Sequence, residues 1–272
     1  MVKLVVFDLD GTIVVEPNFY RKVYSGTLNQ VVKRERGKQG LKILQYYRKK
    51  FDGRGELALF ALNIPYQKWA QLLIDAPLDF IRPQPTLVKQ IRNLDAYKII
   101  YTGSPTEMAK RMLLRLGFTL EDFDDIIGWE EPELFPIKWT CSPLIFEMIL
   151  EKFSVVPSKA WAVGNEWETD LRPAQAIGMN TAAVRKFKGN PTLCFEKLEN
   201  FLNYLEVRKM KKRKPYVISE DINVLLAKWA QKRKFALPTE KFFRDLRREM
   251  EEYFSEIFGA DNVDMVSVKE IR

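Results

Sequence analysis

Three short apolar runs, Leu4-Val5-Val6-Phe7, Ile99-Ile100-Tyr101 and Ala160-Trp161-Ala162-Val163, are nearly continuous rather than alternating with polar residues. Runs of this kind fit strands of a parallel sheet that is covered on both faces. Elsewhere the apolar positions return at helical spacing. Met108, Met112 or Leu113, and Leu116 do so over 106–116, Ile145, Ile149 and Phe153 over 143–153, and a third such stretch covers 169–177. Strands alternating with helices predict an α/β fold built on a doubly wound parallel sheet. Residues 16–83 break the alternation. They carry no strand pattern and predict helices near 18–33, 41–51, 55–62 and 66–75, a helical cap inserted after the first strand. Arg82-Pro83-Gln84-Pro85 then returns the chain to the sheet. The pattern divides the chain into a core (1–15 with 84–207), a cap (16–83) and a helical C-terminal extension (208–272).

Composition narrows the chemistry. The 272 residues are 46% hydrophobic and 12% aromatic, enough for a sizeable core, and include no histidine. That absence excludes Ser-His-Asp and Cys-His nucleophiles, HExxH zinc sites and histidine general bases. What remains is carboxylates, hydroxyls, lysines and hard cations. The two cysteines, Cys141 and Cys194, form no CxxC motif and suit a reducing compartment. No apolar run approaches the roughly 18 residues that span a bilayer, and Asp8 interrupts the apolar start, so the expectation is a cytoplasmic protein without a membrane segment.

Charge is unevenly spread. Of the net +8, residues 208–272 contribute 16 Lys+Arg against 11 Asp+Glu, beginning with six basic residues in the eight positions from Arg208 to Pro215. Two amphipathic patterns follow, near 220–233 and 240–258. This basic tail reads either as a solvated linker or as a contact for nucleic acid or a protein partner.

The polar candidates all stand where an apolar run stops: Asp8-Leu9-Asp10-Gly11-Thr12, Thr102-Gly103-Ser104 and Gly164-Asn165. In an open α/β sheet, ligands bind outside the carboxyl ends of the strands, so the spacing predicts one shared pocket. Two carboxylates two residues apart after a strand call for a cation, and Mg²⁺ suits oxygen ligands supplemented by phosphate and water. One aspartate can attack a phosphoryl group while the other passes protons. Ser104-Pro105-Thr106-Glu107 has the form of a capping box, which predicts a helix N-terminus suited to a phosphate, with the Thr102 hydroxyl as a further donor. Tyr20, Tyr24, Tyr46 and Tyr47 recur at helical spacing and read either as packing residues of the cap or as a base-stacking platform, the packing role being the commoner.

Together these segments resemble the haloacid dehalogenase-like (HAD) phosphatase superfamily over about residues 1–205. The resemblance rests on DxDGT at Asp8 to Thr12, the strand ending in Thr102, the run Gly164-Asn165-Glu166-Trp167-Glu168-Thr169-Asp170, and Ala174-Gln175-Ala176-Ile177-Gly178-Met179. It implies a Rossmann-like core, a C1-type cap, Asp8 as nucleophile, Asp10 as general acid/base, and Thr102 with Thr12, Gly103 and Ser104 holding the phosphoryl group. It also implies Mg²⁺ on Asp8, the Asp10 carbonyl, Asn165 and Asp170. Haloalkanoate dehalogenases lack an aspartate at the Asp10 position, which favours a phosphatase. Asn165 stands where the family usually has aspartate, and alignment on Ser142-Pro143 puts Thr140 where the family has its lysine. Lys138, two residues earlier, is the candidate replacement and reaches the site only if residues 135–139 are displaced. Weaker likeness to pyrimidine 5′-nucleotidase-like members, through Tyr46 to Phe51 and Ile81-Arg82-Pro83, implies a nucleotide or similar small phosphate ester. The expectation is thus an Mg²⁺-dependent hydrolase of small phosphate monoesters. The alternative is a HAD-fold binding or scaffold protein acting through its basic extension.

Overall fold

The computed structural model describes residues 2–16, 19–50, 55–129, 137–185 and 189–211. The first residues of the basic extension, 208–211, continue the last core helix without a break, and its remainder, with the amphipathic patterns at 220–233 and 240–258, lies outside the described residues. Six strands form one parallel sheet: β1 (Leu4–Phe7), β2 (Tyr97–Pro105), β3 (Asp125–Trp129), β4 (Ala160–Gly164), β5 (Asn180–Val184) and β6 (Leu193–Phe195). Their order is β3-β2-β1-β4-β5-β6, so the doubly wound sheet reverses direction between β1 and β4. The insertion contributes α1 (Gly26–Lys50), α2 (Leu57–Ala61) and α3 (Tyr66–Ile74), and the core contributes α4 (Pro85–Arg92), α5 (Thr106–Leu116), α6 (Leu144–Lys152), α7 (Arg172–Ala176) and α8 (Leu198–Lys211).

β1 is buried at all four positions because both faces of the sheet are covered. Leu4 and Val6 join Ala160 and Ala162 against Phe146, Ile149 and Leu150 of α6. Trp161 points the other way, as the pleat requires, and packs at a tilt against Phe201 of α8, 5.4 Å between ring centroids. On α5, Met108, Ala109, Met112, Leu113 and Leu116 form the buried stripe that their spacing predicts. That helix stops at Gly117 (φ 97°), where the Phe118 amide closes back on the Leu113 carbonyl at 3.1 Å.

Among the described residues of 16–83 there is no strand, in keeping with a helical cap. Two of its expected helices run on as one element, α1, broken only at Gly37, whose φ of 59° and ψ of −149° leave helical space. No described helix is long and apolar enough to cross a membrane.

Register explains why the motifs meet. Phe7 pairs with Ile100 on one side and Val163 on the other. The next residues, Asp8, Tyr101 and Gly164, therefore emerge side by side, and Thr102 and Asn165 follow one position later at the same edge of the sheet.

Candidate active site

Asp8 is the first residue past β1, and its amide still bonds the Val163 carbonyl at 2.8 Å. The chain then turns tightly, with the Leu9 carbonyl accepting from the Ile13 and Val14 amides at 3.1 and 2.8 Å. Gly11 makes the turn possible: its φ is +94°, and a Cβ there would stand 2.8 Å from the Asn165 amide. Thr12 folds back so that its hydroxyl donates to Asp8 Oδ2 at 2.8 Å.

Lys138 is the cation of the site. One short 3-10 turn, Ile137–Thr140, carries it inward, and its ammonium donates to Asp8 Oδ1, to Asp170 at 2.9 Å and to the Tyr101 carbonyl at 2.8 Å. All three charged side chains are buried, with 5, 7 and 4% exposure for Lys138, Asp8 and Asp170. A lone buried charge would be very costly, so the group persists as a unit of paired ions. Burial alone would lower the Lys138 pKa, but Asp170 and Asp8 outweigh it and hold the ammonium above its ordinary value. Burial and the neighbouring Asp170 push the Asp8 carboxyl up to about 7, against the opposing pull of Lys138. Asp170 also braces the loop after β4, with Oδ2 accepting from the Asn165 and Glu166 amides at 3.1 and 2.9 Å.

Asp10 sits beside this group. Its Oδ2 accepts from three hydroxyls, Ser104 at 2.7 Å, Thr102 at 2.9 Å and Tyr24 at 2.9 Å, while its Oδ1 is shielded from solvent and has no hydrogen-bond partner. Burial raises the Asp10 pKa above the ordinary carboxylate value; the three hydroxyl hydrogen bonds oppose the rise. Burial likewise holds the Tyr24 phenol well above its ordinary value, so it remains a protonated donor.

The oxygens fit a hard cation. Asn165 turns one amide atom toward the Asp10 carbonyl oxygen and Asp8 Oδ2, 3.2 Å from each. As nitrogen, that atom hydrogen-bonds to both. As oxygen, it stands with the Asp10 carbonyl and Asp8 Oδ2 as a third acceptor, an arrangement that a cation between them would stabilise. Among the described residues no three Asp, Glu or Cys side chains form a metal cluster, so an ion here depends on the amide and the carbonyl as well as on Asp8.

Three tryptophans pack together beside Gly103. Trp69 of α3 lies 5.9 Å from Trp139 and 6.2 Å from Trp129 of the core, centroid to centroid, and its indole N–H is held by Thr27 at 2.9 Å. Trp139 rests directly on Gly103, where a Cβ would collide with the indole nitrogen. Gly103→Ala should therefore displace Trp139, shifting the tryptophan emission and costing about 1–3 kcal/mol in urea unfolding, the range for overpacking a tight site. An unchanged spectrum and midpoint would contradict this packing.

A family model for haloacid dehalogenase-like hydrolases matches residues 2–178. The chain belongs to that family. No curated protein gives a significant match. Several solved structures share the fold. A HAD phosphatase from Thermococcus onnurineus is 21% identical with a TM-score of 0.52, covering 75% of this chain and 98% of its own. A predicted phosphoglycolate phosphatase from Haemophilus somnus is 16% identical with a TM-score of 0.50 and the same coverages. The haloacid dehalogenase-like family protein SP0104 from Streptococcus pneumoniae matches it in all these values.

Measured against the sequence expectations, the structure of this family member gathers Asp8, Asp10, Thr12, Thr102, Gly103, Ser104, Lys138, Asn165 and Asp170 in one pocket. Lys138 reaches Asp8 from the turn Ile137–Thr140, while residues 135 and 136 of the expected displacement lie outside the described residues. One expectation fails. Ser104 does not cap the following helix, because β2 continues through Pro105, the helix begins at Thr106 without a side-chain cap, and the Ser104 hydroxyl is spent on Asp10. One residue was missed. Tyr24 packs between Phe19 and Trp69 as its spacing suggests, but its hydroxyl reaches Asp10. Only the topology, which folds the first turn of the cap over the end of β2, could reveal that.

Proposed function

We propose that this hydrolase is an Mg²⁺-dependent phosphatase of small phosphate monoesters that works through an aspartyl-phosphate on Asp8. The observation that carries the reading is the buried contact of Lys138 with Asp8, set beside a second carboxyl, Asp10, with one oxygen free of partners. A nucleophile, a cation to offset its charge and a proton carrier are thus within one pocket.

In the first step an Asp8 carboxylate oxygen forms a bond to phosphorus, the ester P–O bond breaks, and Asp10 delivers its proton to the departing alkoxide. In the second, Asp10 takes a proton from water as that water attacks phosphorus and the Asp8–phosphoryl bond breaks, releasing inorganic phosphate. Lys138 offsets the negative charge of both the nucleophile and the transferring group throughout. The Thr12 hydroxyl orients Asp8, and Thr102 and Ser104 orient Asp10. Mg²⁺, held by Asp8 Oδ2, the Asp10 carbonyl and the Asn165 amide oxygen, would supply positive charge against the phosphoryl oxygens. The proton-carrying Asp10 favours ester hydrolysis over dehalogenation, since a halide needs no proton to leave. Lys138 on Asp8 also removes one of the two motives for the scaffold alternative, the missing lysine; the other, Asn165 in place of an aspartate, stands.

Phosphate release from a panel of small esters, nucleoside monophosphates included, tests the reading. Turnover should require Mg²⁺, stop with EDTA and return on adding Mg²⁺ back. A concentration about 100 times its dissociation constant should stabilise the fold by roughly 2.7 kcal/mol through linkage. No phosphate released from any ester in the presence of Mg²⁺ would refute it.

A further inference from the structure

We infer that Tyr24, a residue of the cap, is a positioning residue for the acid/base chemistry of Asp10, fixing which carboxyl oxygen faces the substrate. The inference rests on the proposed phosphatase reaction and adds to it a part of the machinery outside the three strand-end motifs.

The argument begins with the unequal oxygens of Asp10. Oδ2 is the common acceptor for Tyr24, Thr102 and Ser104, whereas Oδ1 is buried without a partner. Three donors occupy Oδ2, so Oδ1 is the carboxyl oxygen left open to a new partner. Thr102 and Ser104 come from β2, on one side of the carboxyl. Tyr24 comes from the π-helical turn Tyr20–Ser25 that leads into α1, and it supplies the donor from the opposite domain. Rotation of the carboxyl, which would exchange the two oxygens, breaks all three bonds at once.

Tyr24 is itself held firmly. Its ring stacks on Tyr20 at 5.8 Å and meets Phe19 and Trp69 edge-on at 5.6 and 6.1 Å. Its hydroxyl also touches that of Ser104. A phenol fixed on three sides restrains a carboxyl better than a flexible hydroxyl does, because little side-chain freedom is lost in each turnover. The cap thereby reaches the reacting groups through one hydroxyl, and Asp10 is fully oriented only when the cap is seated.

The test exploits leaving groups. An alkyl phosphate such as glycerol 1-phosphate needs a proton on its departing oxygen, whereas p-nitrophenyl phosphate does not. With the full chain and saturating Mg²⁺, Tyr24→Phe should lower kcat/KM for glycerol 1-phosphate about tenfold, a loss worth roughly 1.4 kcal/mol and typical of one hydrogen bond to a charged group. For p-nitrophenyl phosphate it should change kcat/KM less than twofold. In an Asp10→Asn background, Tyr24→Phe should have no further effect on the ratio of the two esters. Equal losses on both esters, no loss on either, or an undiminished effect in the Asp10→Asn background would each overturn the inference. Should Tyr24→Phe fail to fold, Tyr24→Leu carries the same test, with the same ratio of ester rates deciding it. If the wild type releases phosphate from no ester of the panel, the phosphatase reading falls and this inference with it; if it turns over only another alkyl ester, that ester replaces glycerol 1-phosphate and its aryl counterpart replaces p-nitrophenyl phosphate. Turnover with the wrong selectivity removes this inference alone.

Discussion

Asp8→Asn should lower phosphate release by roughly 10⁴- to 10⁶-fold, the scale on which an enzyme loses its nucleophile, while leaving the protein folded. Asparagine has nearly the same shape, still accepts from Thr12, and leaves Lys138 paired with Asp170, so the packing around β1 has little reason to change. Circular dichroism and urea unfolding should therefore overlay the wild type, and no covalent phosphoryl-protein should be trapped by rapid acid quench. Retention of more than a few per cent of wild-type turnover would exclude Asp8 as the attacking group. A phosphoryl adduct on some other residue would do the same.

The second large effect is on stability. Lys138→Met removes the one positive charge between two buried carboxylates, leaving Asp8 and Asp170 facing each other without compensation. Breaking a buried ion group from one side costs roughly 3–5 kcal/mol, and the urea midpoint, measured without divalent cations, should fall accordingly. Methionine keeps the length of the side chain, so a cavity is not the cause. Activity should fall as well, by about 10²–10³-fold, the size expected when one preorganised donor to a developing charge is lost. Adding Mg²⁺ should restore part of the stability without restoring the rate, since a cation can neutralise Asp8 but cannot replace the ammonium where Lys138 stood. A variant as stable as the wild type would mean that the two carboxylates do not depend on Lys138.

How much of this was legible beforehand follows from physical rules. β1, β2 and β4 are readable because they are continuous apolar runs buried on both faces. β3 is harder, because Asp124-Asp125 precedes only two isoleucines before Gly128. β5, Asn-Thr-Ala-Ala-Val, lacks the branched bulk of a usual strand, and β6 has only three residues. The strand-end motifs disclosed Asp8, Asp10, Thr102 and Asn165, since parallel strands must deliver their carboxyl ends to one edge. Lys138 was harder to place, because sequence spacing does not reveal which loop lysine turns inward to the carboxylates. Ser104 misled for a different reason: a serine before Pro-Thr-Glu looks like a cap in one dimension, and only three dimensions bring a stronger acceptor, Asp10, within its reach.

The pairing of β1 with β4 also bears on how the protein is made. Phe7 waits for Val163, and Asp8 for Lys138 and Asp170, so the first catalytic side chain to be synthesised is separated from its partners by most of the core. At ribosomal rates of roughly 5–20 residues per second, that interval lasts on the order of 10–30 s. During it the leading strand has no neighbour on its β4 side. A nascent or truncated chain ending before Asp170 therefore contains Asp8 without its full set of ion partners, and the proposed activity should be absent from it.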